Sequence, residues 1–328
     1  MYRQGNKTTQ IDNDSKPIQL KRFRELNGIS TKNFKSPYKI SAASGIIEAH
    51  NSIYVVIDDA VELGVFPKPP SIGVGKLLPL FLENLPSDPK ERKKRKPDLE
   101  SLIFLGADYF PPAGAILALP SGSKSNRMRG SLISFLSNGE TFTNPKEISF
   151  RSLYERLLGV FPDLNIEGVV QVGTTLKLFQ RGNGPTTQNA TIDISLSGAA
   201  DTLKSGKDLN PDLIRRIRHH NLGKLHGVAL AFTDAYSSPA MGTWFLAAAE
   251  SSESTFLDGK YAGSVIGKLD SEGEVSFLKE LASPYKPEGL WIDESSPEHF
   301  FYVVTDADDP DRIAEMYRGI LPSKPSAR

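Results

Sequence analysis

The chain contains no cysteine. That absence removes a disulfide framework, a thiolate nucleophile and a cysteine metal site together. No apolar run approaches about eighteen residues, so no segment is expected to cross a membrane as a helix. Charge bias is missing too: 39 Lys and Arg face 39 Asp and Glu. A dedicated nucleic-acid domain is basic overall, so nucleic acid is not an expected partner. The opening Met1-Tyr2-Arg3-Gln4-Gly5-Asn6-Lys7 has no apolar stretch after its positive charges, unlike a secretory signal. A soluble, cytoplasmic protein is expected. There is no Gly-x-Ser-x-Gly elbow and no His-Glu-x-x-His pair. Gly73-Val74-Gly75-Lys76-Leu77 is not a phosphate loop, because Pro70 and Leu77 stand where that loop needs glycine and Ser or Thr.

What the 328 residues do contain is repetition. Ser44-Gly45-Ile46, Glu100-Ser101-Leu102, Glu167-Gly168-Val169, His226-Gly227-Val228 and Glu288-Gly289-Leu290 succeed one another at steps of 56, 67, 59 and 62 residues. A period of about sixty is a mark of a radially repeated fold. Each motif opens a short apolar strand. A second strand comes next and ends in polar residues, as in Ser52–Ile57 into Asp58, or Phe300–Val304 into Asp306. Third strands alternate at 131–136, 191–196, 264–269 and 313–318, and a fourth precedes the next motif at 274–281. Runs rich in β-branched and aromatic residues, bounded by Gly, Pro, Asp and Ser, read as strands. Four short strands per unit make a propeller blade.

The expected fold is therefore an all-β propeller of five blades, with six as the alternative. The last repeat stops after its third strand, and Pro17–Phe23 precedes the first motif as 274–281 precedes the last. The N-terminal strand should complete the C-terminal blade and cover its open edge. Residues 1–15 read as a disordered tail and 16–328 as one propeller domain. A charged loop at 86–97 and a helical insertion at about 203–222, headed by Asn210-Pro211, interrupt it. His219 and His220 then fall on that helix as surface residues.

Innermost strands line the channel of a propeller. The residues that open them here, Ser44, Glu100, Glu167, His226 and Glu288, should form one ring. Oxygen-rich rings suit Ca²⁺ or Mg²⁺, so Glu100, Glu167 and Glu288 are candidate metal ligands. Lys286, Lys224 and Arg181 offer a different compensation, a charge network made by the protein alone. A purely architectural reading also stands, with glycine easing the entry into the strand. Asp58 and Asp306 are candidate catalytic acids or bases. Arg181, His226, Lys286 and Glu250 are candidate ligand-binding residues. The acidic segment Asp306-Ala307-Asp308-Asp309-Pro310-Asp311 reads chiefly as a turn. Asn126-Arg127-Met128-Arg129 and Gln180-Arg181-Gly182-Asn183, with Asn189, pair arginine with amides and could hold an oxyanion. The basic run Lys90–Lys96 reads as a solvated loop.

Lys286-Pro287-Glu288-Gly289-Leu290-Trp291, with Thr305-Asp306-Ala307-Asp308-Asp309-Pro310-Asp311-Arg312 after it, resembles the C-terminal signature of an uncharacterised bacterial propeller-like family. The Glu-Gly entry and the strand ending in Asp are similar, more distantly, to gluconolactonase and senescence-marker propellers. That resemblance implies a divalent metal held by Glu288, Glu167 or Glu100, with Asp58 or Asp306 as base. Those enzymes have six blades and a ligating asparagine without a clear equivalent here. The expected role is binding of a small polar or anionic ligand, or a divalent cation, at the channel mouth. A metal-dependent lactonase or phosphoesterase and a protein-interaction scaffold are the alternatives. A monomer or weak dimer is expected.

Overall fold

The computed structural model describes residues 2–4, 11–12, 16–30, 33–86, 88–140, 144–182, 188–251, 260–306, 309 and 311–322. Its strands form five sheets, one per blade. The innermost strands are Ala43–Ala49, Leu99–Leu105, Ile166–Val172, Val228–Ser238 and Lys286–Ile292, for blades 1 to 5. They neighbour one another in that cyclic order, and the fifth meets the first. Within each blade the strands step outward antiparallel, as in Leu99–Leu105, Ala115–Pro120, Arg129–Ser134 and Lys146–Ser149.

Five apolar layers hold the blades together. Ile103, Leu117 and Leu132 of blade 2 meet Val169, Leu178 and Ile192 of blade 3. Trp291, Tyr302 and Val304 of blade 5 meet Ile46 and Val55 of blade 1. A central strand therefore packs on both faces, and Ala115–Pro120 is buried along its whole length. This is why the second strands read as continuous apolar runs rather than alternating ones.

The N-terminal segment stitches the ring. Lys21–Glu25 pairs antiparallel with Glu315–Ile320 and completes blade 5, as the sequence implied. The same segment reaches further. Ile18–Gln19 runs parallel to Leu281 and Ala282 at the edge of blade 4, and Asn27–Ser30 runs parallel to Gly75–Leu77 of blade 1. The tail expected to be disordered contains Tyr2–Gln4, which pairs with Ile217–His219 of blade 3. Residues 1, 5–10 and 13–15 lie outside the described residues.

The helical insertion at about 203–222 is corrected. Asn210 does cap, accepting from the Asp212 amide at 2.8 Å, but only for the single turn Pro211–Leu213. Ile214–His220 is the fourth strand of blade 3, paired with Asn189–Ser195. Its Ile214 and Ile217 serve a blade that otherwise lacks a fourth strand. His220 is consequently buried, not a surface residue, and its Nε2 meets Thr191 Oγ1 at 2.9 Å. The helix proper is Leu196–Ser205, whose Leu196, Ala199, Ala200 and Leu203 face the core at helical spacing. Within 86–97, Pro89–Arg95 is also a helix, capped by Asp88.

The repeated glycines have a structural cause. A Cβ on Gly45 would stand 3.0 Å from the Glu100 carbonyl oxygen of blade 2. One on Gly168 would stand 3.1 Å from the Ala235 nitrogen of blade 4, and one on Gly289 would stand 3.0 Å from the Ile46 nitrogen of blade 1. Inner strands of neighbouring blades pack backbone to backbone there, and rigid backbone gives way at a cost. Gly168→Ala and Gly289→Ala are each expected to lose about 1–3 kcal/mol. Ser101→Ala, which removes a buried hydroxyl without a partner among the described residues, should cost less than either. Urea unfolding of the three variants checks this; equal losses would remove the close approach as the reason for the motif.

Candidate channel site

Each innermost strand carries a β-bulge at the same level. The residue left without a ladder partner is Ser44, Glu100, Glu167, Thr233 or Glu288 in blades 1 to 5. Bulges re-aim side chains, and here they produce the ring that the motif implied, with one correction. The fourth member is Thr233, not His226. His226 lies seven residues earlier, at the exposed turn between Lys224–Leu225 and Val228–Ser238, with φ 50°. Its Nδ1 is 3.0 Å from the Ala262 carbonyl oxygen, and its side chain is 59% exposed. Glycine at 227 mimics the motif because the turn needs φ 85°. In the true repeat, Asp234 occupies the glycine position and accepts a hydrogen bond from the Leu290 amide of blade 5 at 2.7 Å. Lys224 is likewise exposed and off the ring.

The ladder also fixes which second-strand residues face the ring. Asp58 donates its amide to Ala42, Ser121 to Asp98 and Arg181 to Asn165, while Ala248 pairs with Ala231 and Asp306 with Lys286. Asp58, Ser121, Arg181, Ala248 and Asp306 are thus equivalent, and Glu250 arrives from a longer strand. Two charged clusters result.

The first belongs to blades 3, 4 and 5. Arg181 is 5% exposed and lies 3.2 Å from Glu167, 2.7 Å from Glu250 and 4.0 Å from Glu288. Lys286 joins Glu250 at 3.3 Å and Glu288 at 2.8 Å. Asn165 donates to Glu167 at 2.6 Å. Gln180 accepts from the Asn165 amide and so braces the same corner. Burial resists charge on Arg181, but Glu167, Glu288 and Glu250 outweigh it and hold the guanidinium ionised. Burial also pushes the Glu167 carboxyl up to about 8, aided by Glu288 and opposed by Arg181 and Lys286. Glu288 Oε2 is buried without a hydrogen-bond partner among the described residues.

The second cluster belongs to blades 1 and 2. Asp98 is gripped by Lys96 at 2.9 Å, Arg127 at 2.7 Å and the Ser121 hydroxyl at 2.5 Å. Burial opposes its ionisation, yet Lys96 and Arg127 outweigh burial and hold it below the usual carboxylate range. Lys96 also pairs with Asp58. Burial pushes Asp58 up to about 7, with Asp98 adding to the shift and Lys96 opposing it. Glu100 is raised well above the usual carboxylate range: burial comes first, then the charges of Asp58, Glu167 and Asp98. One ligating oxygen each from Asp58, Asp98 and Glu100 falls within 4.8 Å of the other two.

The expected trio Glu100, Glu167 and Glu288 is therefore split. Glu167 and Glu288 share Arg181, whereas Glu100 sits with Asp58 and Asp98. Asp306 is half-buried at the end of its strand and bridges to Ala42. The oxyanion reading of the arginine and amide segments places Arg127 on Asp98 and Arg181 on the glutamates. Asn189 clamps blade 3 to blade 4, accepting from the Gly182 and Phe232 amides and donating to Leu230. Asn183, Ala307, Asp308 and Pro310 lie outside the described residues, and Asp309 forms the expected turn with the Asp311 amide at 3.0 Å. Sequence reasoning missed Lys96, Asp98 and Asn165. The signal for Asp98 and Asn165 was their place two residues before the bulge glutamates Glu100 and Glu167. Lys96 was hidden at the end of a basic run, where only the helix stop at Lys96 turns it inward.

The chain belongs to a family of unknown function (DUF6929), which it matches over residues 39–321. No curated protein matches it. Among solved structures, an α-L-arabinofuranosidase from Podospora anserina aligns with a TM-score of 0.51 at 11% identity, covering 93% of this chain and 98% of that one. A streptogramin B lyase gives 0.39 at 13% identity, covering 93% and 88%. An aldose sugar dehydrogenase from Streptomyces coelicolor gives 0.46 at 11% identity, covering 92% and 97%. The likeness to the Podospora enzyme is one of fold. Five blades also depart from the six that the gluconolactonase resemblance implied.

Removing Arg181 would leave three carboxylates crowded without their shared cation. Arg181→Met is expected to cost about 3–5 kcal/mol at pH 8.5. The cost should be smaller at pH 5.5, for a reason of sign. Folding raises the Glu167 pKa, so that group's contribution is complete below the unfolded value of about 4.3 and is lost as pH rises through about 8. Urea titrations of both proteins at the two pH values check this. An equal loss at each pH would mean that carboxylate charge is not what Arg181 balances.

Proposed function

We propose that this member of a family of unknown function binds a divalent cation, Ca²⁺ or Mg²⁺, at Asp58, Asp98 and Glu100, and takes a small polar or anionic ligand at the same channel mouth. The observation that carries this reading is the convergence of three carboxylates within 4.8 Å. Two further features support it. Asp58 keeps 19% of its side chain exposed, so the cluster is open to solvent from the mouth. Burial and mutual repulsion push Asp58 and Glu100 toward their neutral forms, which is the mark of a place short of positive charge. A hard cation with oxygen ligands would relieve both. Lys96 would then share Asp58 and Asp98 with the ion.

A hydrolytic role is the second reading, favoured by Glu167. A buried carboxyl held at about 8 can exchange a proton near neutrality. A cation at Asp58, Asp98 and Glu100 could polarise a bound ester or phosphoester on the other side of the channel.

Melting after EDTA, and then with millimolar Ca²⁺, Mg²⁺ or Mn²⁺, tests the cation. Binding to the native state alone adds about 2.7 kcal/mol at a hundred times Kd, a shift of several degrees for a chain of this size. Glu100→Gln should abolish the shift. Glu167→Gln should retain it, because Glu167 belongs to the Arg181 cluster. No shift with any of the three ions, or an undiminished shift in Glu100→Gln, overturns the reading.

A further inference from the structure

The charged layer closes one end of the channel. Beyond it, toward the far ends of the inner strands, a cavity of about 910 Å³ opens on the opposite mouth. That size is within the range of small-molecule sites. Its walls are mainly apolar, with Ile47, Phe104, Val170 and Trp291 contributed by four different blades and Glu48 and Gln171 among the polar residues. Past the bulge, consecutive residues of the inner strands line it, Ile46 and Ile47, Leu102 to Phe104, and Val169 and Val170 among them, and most are apolar.

The cavity extends into the gap between blades 3 and 4, and that recess is cationic. Lys177 and Arg216 line it from blade 3, and Lys268 from blade 4. Arg218 lies two residues along the strand from Arg216 and is 3% exposed. Among the described residues, Asp193, Asp270 and Glu274 stand beside these cations, and Glu48 lines the cavity from blade 1. Asp193 is shared between Lys177 and Arg216, whose Nη2 is 2.8 Å away. Asp270 is engaged by the Glu272 and Glu274 amides, each at 2.9 Å. Glu274 takes one nitrogen of Arg218, Nη1. Arg218 Nε and Nη2 remain buried with no hydrogen-bond partner among the described residues.

Donors of that kind are costly to leave unmatched. Gly273 alone separates them from the cavity on that side. It lines the cavity, and a Cβ there would stand 3.7 Å from Arg218 Nε. Burial, with the charges of Arg216 and Arg218 adding to it, lowers the Lys177 pKa despite its pairing with Asp193.

We propose that this second mouth binds an organic anion, a molecule with an apolar or aromatic body and one carboxylate, sulfonate or phosphate group. The body fills the cavity between the inner strands. The anionic group enters the gap between blades 3 and 4 and accepts from Arg218 Nε and Nη2. The planar guanidinium suits such an oxyanion because two of its N–H groups can be engaged side by side. This site lies below the charged ring and shares no residue with the cation cluster.

The test uses 8-anilinonaphthalene-1-sulfonate, which is anionic and fluorescent, and N-phenyl-1-naphthylamine, which has the same rings without the sulfonate. The full chain should bind one sulfonate saturably and bind the neutral amine at least tenfold more weakly. Arg218→Met should bring the sulfonate down to the affinity of the amine. Val172→Trp, at the exposed rim of the cavity, should weaken both dyes tenfold or more and provides a second check should Arg218→Met fold poorly. EDTA and Glu100→Gln should change neither. Equal binding of the two dyes, or full sulfonate affinity retained in Val172→Trp, overturns the proposal.

Discussion

The rest of this molecule depends on how closely five inner strands crowd one axis. At the level of the bulges, backbone of one blade lies about 3 Å from where a side chain of the next would begin. Glycine at 45, 168 and 289 is the response to that contact. The bulge before each of these positions turns one side chain toward the axis. Once five such side chains share a narrow channel, the three carboxylates among them are drawn together with little water around them. The protein answers with cations of its own: Arg181 and Lys286 among Glu167, Glu250 and Glu288, and Lys96 with Arg127 against Asp98 and Asp58. Backbone packing thus creates the electrostatic problem that the candidate site solves.

The two ends of the channel derive from the same strands. At the entry, bulge residues and second-strand ends converge as charge. Two or more residues further on, the inner strands carry chiefly apolar residues, and the walls become mainly apolar. A propeller built this way presents a charged mouth and an apolar mouth without a separate device for either. The third layer of organisation is the N-terminal segment. It adds an edge strand to blade 3, a short one to blade 4, the closing strand of blade 5 and a strand beside blade 1. Closure by one strand would protect one edge, whereas this path covers several.

Much of this was legible in the residues. The period, the blade count and the closing role of 17–23 came from repeated short motifs and from a last blade one strand short. Three of the five ring residues are carboxylates, and all three were named from the motif. The misreadings are equally physical. His226-Gly227-Val228 imitates the motif because a tight turn and a close strand contact both call for glycine. Thr233-Asp234-Ala235 conceals it because an aspartate can fill the glycine position when its carboxylate caps a neighbouring amide. Asn210-Pro211 correctly marks a turn, but pairing with Asn189–Ser195 makes Ile214–His220 a strand rather than a helix.

By itself the sequence determined the repeat, the strand pattern and the identity of most axial acids, because these rest on local spacing and on residue type. Only the tertiary structure decided which acids meet. Glu100 is separated from Glu167 and Glu288 in partnership because Arg181 crosses to blade 4 and Lys96 turns inward from a helix end, and both are contacts between segments far apart in the chain. Local periodicity carries no information about such meetings. They are set by the angle between blades, the bulge that aims each side chain and the need of every buried charge for a partner.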